Sequence, residues 1–130
     1  MSRRTDDIED FKKNHPDVQI VELSGGAAGM LLPAESLPGV WSKPSTELVW
    51  LVQNGYPTQP LDCFWIDADA TSSGNGKVNA QLQPCPLGTG KVRRWISWHL
   101  QPWDPLRHNI EIWLNSMRQG LRNATGRVPA

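Results

Sequence analysis

The chain has 130 residues, and its thirteen lysines and arginines are balanced by thirteen aspartates and glutamates, leaving no formal net charge. That length fits one domain with a single core, and neutrality removes the nonspecific pull toward nucleic acid or acidic membranes. Two cysteines are too few for a secreted disulfide framework and lack a zinc site's companions, and neither a signal sequence nor a membrane-length apolar run is seen, so a cytoplasmic protein is expected.

A first helix is predicted over residues 6–14: Asp6 can cap it, Glu9 follows three residues on as in a capping box, Ile8 and Phe11 form an apolar face, and Pro16 ends it. Val18, Ile20, Val21 and Leu23 at strand spacing predict a strand over 17–23, closed by Ser24-Gly25-Gly26. Gly29-Met30-Leu31-Leu32 predicts a second short strand, bounded by Pro33 and the Pro38-Gly39 turn. The strongest strand is residues 46–53, where five consecutive apolar residues, Leu48 to Val52, imply a central position buried on both faces. A corner at Tyr56-Pro57 leads to another apolar run, Cys63-Phe64-Trp65-Ile66.

Residues 67–94 show almost no periodicity and are expected to be one long loop, a length usual for functional or mobile segments. A Trp-rich stretch then opens a helix, with Asp104 as cap and Pro105 in the first position. Leu106, Ile110, Trp113, Leu114, Met117 and Leu121 share one face of that helix, which should cover the sheet. A single domain over 5–122 and a loose tail over 123–130 are expected. The seven tryptophans should be core or rim packing, since indole buries a large area while its N–H still wants a partner.

Cys85 lies between Pro84 and Pro86, which favour an extended, presented backbone and an accessible thiol. Lys91, Arg93 and Arg94 are near enough in sequence to lower its pKa, and an unreactive loop cysteine is the equal alternative. Cys63, inside a strand, reads as a small core hydrophobe. Of the three histidines, His99 is best placed to join Cys85, because its segment follows the loop; a structural, hydrogen-bonding role is the commoner reading. His15 belongs to a helix stop and His108 to the first turn of the last helix. Gly88-Thr89-Gly90-Lys91 lacks the further Gly and Ser or Thr of a phosphate loop, and Asn123-Ala124-Thr125 matches a glycosylation acceptor by chance.

Gly55-Tyr56-Pro57-Thr58-Gln59-Pro60, the strand from Cys63 to Ile66, Cys85, and Trp103-Asp104-Pro105 occur in the order of the ubiquitin-conjugating enzyme superfamily. The chain resembles that superfamily over roughly residues 5 to 122. Its Trp95 to Trp103 stretch is most similar to the bacterial family-E ubiquitin-conjugating-like proteins, found in operons with activating enzymes, ubiquitin-like modifiers and deconjugases, some of which act against phage. The resemblance implies an α+β fold: an N-terminal helix, an antiparallel four-stranded meander, a long cysteine-bearing loop and a C-terminal helix. It implies that Cys85 takes a ubiquitin-like modifier from an activating enzyme as a thioester and passes it to an amine of a protein acceptor, without a cofactor; His99, from its place after the loop, is the second candidate catalytic residue. The His-Pro-Asn motif of the eukaryotic enzymes is absent after Ile66, leaving Asn75 and Asn79 as the asparagines available there. The alternatives are a non-catalytic domain of the same fold that binds a ubiquitin-like protein or its activating enzyme, and an unrelated cysteine hydrolase that needs His99 near Cys85.

Overall fold

The computed structural model describes residues 2–72, 79–87 and 91–123. Helix α1 (Arg3–Asn14) begins three residues before the predicted cap, because the Ser2 side chain accepts the Thr5 N–H and takes the capping role. Asp6 instead lies in the first turn, where a carboxylate complements the positive end of the helix. Phe11, 1 % exposed, is its anchor in the core.

Six antiparallel strands follow: β1 (Gln19–Glu22), β2 (Ala28–Ser36), β3 (Ser45–Val52), β4 (Asp62–Ile66), β5 (Asn79–Pro84) and β6 (Val92–His99), in the spatial order β1-β2-β3-β4-β6-β5. Neighbours in the chain pair antiparallel from β1 to β4, but they belong to one six-stranded sheet rather than the expected four-stranded one. The long loop expected over 67–94 is a correction: it contains β5 and opens into β6, and the Trp-rich stretch is strand rather than the start of a helix. β5 is hard to read along the chain because its alternation, Ala80 and Leu82 among Asn79, Gln81 and Gln83, is short and only weakly apolar. It is an edge strand held by its ladder to β6, from Asn79 opposite Ser97 to Pro84 opposite Val92. An edge tolerates the proline, which has no N–H to donate.

Helix α2 (Ile110–Asn123) starts later than predicted. Asn109 caps it, accepting the Ile112 N–H at 2.9 Å. Asp104 spends its acceptors on an isolated turn instead: its side chain takes the Leu106 N–H at 2.9 Å and its carbonyl takes those of Arg107 and His108. Leu106 is therefore 91 % exposed and not part of the buried face, whereas Ile110, Trp113, Leu114, Met117 and Leu121 are all buried. Of the predicted tail, Asn123 closes α2 and the remainder lies outside the described residues.

Both helices contribute to the same main core. Phe11, Trp113, Leu114 and Met117 join Met30, Leu48, Trp50, Phe64, Ile66 and Ile96 there, with Phe11 edge-on to Trp50 at 5.5 Å. A smaller cluster on the other face contains Leu31, Val49, Trp65, Cys85 and Leu87. β3 is thus buried on both sides, as its unbroken apolar run implies. No helix among the described residues is long and apolar enough to cross a membrane.

Candidate functional site

The corner between β3 and β4 is a buried junction. Tyr56, 5 % exposed, donates its hydroxyl to Asp7 at 2.5 Å, and burial together with that carboxylate pushes the phenol well above its ordinary pKa. Asp7 also pairs with Arg3 at 3.1 Å, and Arg3 donates onward to the carbonyls of Pro105 and His108. From the far end of the chain, Trp103 donates its indole N–H to the Pro57 carbonyl at 2.7 Å. The Tyr-Pro corner and the Trp103-Asp104-Pro105 turn are therefore in direct contact.

Beside this junction the β4–β6 pairing is irregular. Asp62 pairs with His99 and Phe64 with Ile96, so Ser97 and Trp98 together oppose Cys63. Cys63 has a φ of 61°, in the left-handed region, which costs a residue with a side chain on the order of 1–3 kcal/mol and is concentrated at functional positions. Bulges of this kind re-aim side chains. Here one brings Asp62, Cys63 and His99 together, their donor atoms all within 4.8 Å of one another. His99 Nδ1 pairs with Asp62 Oδ1, and its Nε2 lies 3.4 Å from Ser97 Oγ. The Asp62 and His99 side chains are about half exposed, whereas Cys63 is 9 % exposed. A cleft of about 770 Å³, lined by Leu61, Asp62, His99, Leu100 and Trp103, opens alongside.

Cys85 is placed differently from its expected presentation, and this is the second correction. Its residue is 0 % exposed. The flanking prolines do keep the segment out of helix, but the thiol faces the sheet, among Leu31, Val49, Trp65 and Leu87. Two contacts pin it. The Cys85 N–H donates to the Lys91 carbonyl at 2.9 Å, and Leu87 lies over Gly29, where a Cβ would come within 2.1 Å of Leu87 Cδ1. Any side chain there would have to push the Leu87 tip aside.

Of the basic residues expected to activate Cys85, Arg93 lies close enough to favour its thiolate, but all three are engaged with other acceptors. Arg93 donates to Glu47, Lys91 lies 3.7 Å from the same carboxylate, and Arg94 donates to the Ala68 carbonyl. Burial dominates and pushes the Cys85 thiol up despite a downward pull from Arg93. Burial pushes the Cys63 thiol up as well, offset in part by a hydrogen bond from the Trp98 backbone. Nor does the structure bring His99 to Cys85: Cys85 adjoins the start of β6 and His99 is its eighth and last residue, roughly 25 Å of strand away. His15 pairs with Glu111 at 2.8 Å and stacks on Phe11. His108 accepts the Asp104 N–H at 2.8 Å. Both are structural. Asn75 and Gly88-Thr89-Gly90 lie outside the described residues, and Asn79 opens β5.

Raised thiol pKa values give a direct expectation. At neutral pH the native protein should react with iodoacetamide several-fold more slowly than the protein unfolded in denaturant. Its rate should keep rising with pH beyond about 8.5, where free cysteine levels off. The sign for stability follows: the unfolded thiols ionise first, so their contribution is complete below the unfolded value and lost as pH rises through the folded one. Equal native and unfolded rates at pH 7 would contradict the burial of both thiols.

No family model matches the chain, and no curated protein or solved structure is significantly similar to it. The structure sets His99 beside Cys63 and Asp62 and not beside Cys85. Asp62 and Cys63 were missed because the signal lies in register: only the bulge, invisible along the chain, sets them beside His99.

Proposed function

We propose that this chain is a bacterial ubiquitin-conjugating-like enzyme that carries a ubiquitin-like modifier as a cysteine thioester, with Cys63 rather than Cys85 as the carrier. The observation that carries the reading is the cluster of Asp62, Cys63 and His99 at the edge of an open cleft. Contact between Trp103 and Pro57 adds support, because it joins the two motifs on which the resemblance to the superfamily rests.

In this reading the Cys63 proton passes to His99, which Asp62 orients, and the thiolate attacks the carbonyl of the modifier's thioester on the activating enzyme. A new S–C bond forms and the activating enzyme's thiolate leaves. An acceptor amine then attacks the same carbonyl, the C–N bond of the conjugate forms, and Cys63 departs as thiolate, to be reprotonated as the amine loses its proton. Phage defence is the setting that the family-E likeness suggests.

A second reading, a non-catalytic domain that binds the modifier or its activating enzyme, is favoured by the burial of Cys85 and the raised pKa of both thiols. Incubation with activating enzyme, modifier and ATP, followed by non-reducing electrophoresis, separates the two. The wild type and Cys85→Ser should form a reductant-cleavable adduct that Cys63→Ser lacks. An adduct lost only in Cys85→Ser would overturn the carrier assignment. Modifier binding without any adduct would select the non-catalytic domain.

A further inference from the structure

Asp62, Cys63 and His99 offer a carboxylate, a thiolate and an imidazole at one point, from two strands that a bulge has brought into register. Zinc bond lengths of about 2.0–2.3 Å put tetrahedral ligand atoms roughly 3.5 Å apart. The donors here are within 4.8 Å, and His99 Nδ1 already touches Asp62 Oδ1. Two of the three side chains are half exposed, so small χ rotations close the remaining gap without moving backbone. The near-buried thiol needs a positive partner to ionise, and a divalent ion held by Asp62 and His99 supplies one.

We infer that Cys63 Sγ, His99 and one Asp62 oxygen form a binding site for a zinc-type divalent ion, with a fourth coordination position open to the cleft beside Leu100 and Trp103. The mixed sulfur, nitrogen and oxygen set suits zinc or cobalt and disfavours magnesium and calcium, which take oxygen ligands. Three protein ligands with one open position is the arrangement of reactive zinc sites; structural sites close all four. Ser97 Oγ, 3.4 Å from His99 Nε2, stands where an outer partner fixes the ring of a ligating histidine. The site needs no conjugation chemistry. If Cys63 also carries the modifier, which rests on the reading above, metal and acyl group compete for the same sulfur and zinc inhibits charging.

The test is titration of chelator-stripped full-length protein with Co²⁺ alone, read by the near-ultraviolet thiolate-to-cobalt absorption band and its displacement by Zn²⁺. The wild type and Cys85→Ser should bind a single equivalent with that band. Cys63→Ser should lose the band, and His99→Ala and Asp62→Asn should bind about tenfold or more weakly, at least the cost of losing an outer-shell partner. Circular dichroism on each variant confirms folding, and the two half-exposed positions keep the test usable if Cys63→Ser does not fold. Absence of the band in the wild type, its persistence in Cys63→Ser, or unchanged affinity in both His99→Ala and Asp62→Asn overturns the site. No modifier or activating enzyme is present, so such a failure leaves the thioester reading standing. A failure of metal-stripped protein to charge would conversely leave the metal site standing.

Discussion

Gly29→Val should bring Cys85 out of the protein interior and raise its rate of reaction with an aromatic disulfide reagent by roughly 10- to 100-fold. A single Cβ at this position would meet Leu87 Cδ1 at 2.1 Å and Leu23 Cδ1 at 3.6 Å, so the Leu87 tip must shift, and the two further methyls of valine push it harder. Burying a leucine side chain is worth about 1.5–3 kcal/mol, and each 1.4 kcal/mol is a factor of about ten in the opening equilibrium. Leu87→Ala should increase reactivity in the same direction without steric pressure on β2, while Cys85→Ser in the Gly29→Val background should remove the added signal. If the labelling rate of Gly29→Val matched the wild type, Leu87 would not be what covers Cys85.

The second large effect is expected at Gly120→Leu, which should destabilise the fold by about 2–4 kcal/mol in chemical denaturation. A Cβ on Gly120 would lie 2.9, 3.0 and 3.2 Å from three atoms of the Trp98 ring, and a ring moves as one body. Trp98 is also tethered, its indole N–H donating to Ser116 Oγ at 2.9 Å. Leucine must therefore displace α2 or break that bond. Trp98 faces Cys63 across the bulge, so the same variant should disturb the thiol site, seen as a change in Cys63 alkylation rate. Wild-type stability in Gly120→Leu would mean that α2 does not seat on Trp98.

Elements defined by local chemistry were readable from the chain. The apolar run of β3 declared its burial on both faces, and Ile110, Trp113, Leu114, Met117 and Leu121 declared the inner face of α2. The failures share a cause: the deciding interaction lay elsewhere in space. β5 is a strand because β6 supplies its hydrogen bonds, not because Gln81 or Gln83 favours one. Asp104-Pro105 has every mark of a helix start, yet Arg3, about a hundred residues away, draws the carbonyls of Pro105 and His108. Pro84-Cys85-Pro86 is extended, as two prolines require, but whether such a segment faces solvent or sheet depends on whether a glycine waits beneath it. The thiol site was least legible, since it needs Asp62 and His99 in cross-strand register with Cys63 forced into a positive φ.

The ties between distant segments also govern how the protein is made. Trp41 donates its indole N–H to the Leu121 carbonyl at 2.9 Å, spanning 80 residues of sequence, and Phe11, Trp50, Phe64, Ile66 and Ile96 await cover from α2. On the ribosome all six strands emerge before that helix, so the nascent sheet shows water an apolar face until residue 121 is synthesised. Chains released between residues 100 and 110 should accumulate as aggregate or chaperone-bound species rather than as a smaller folded domain.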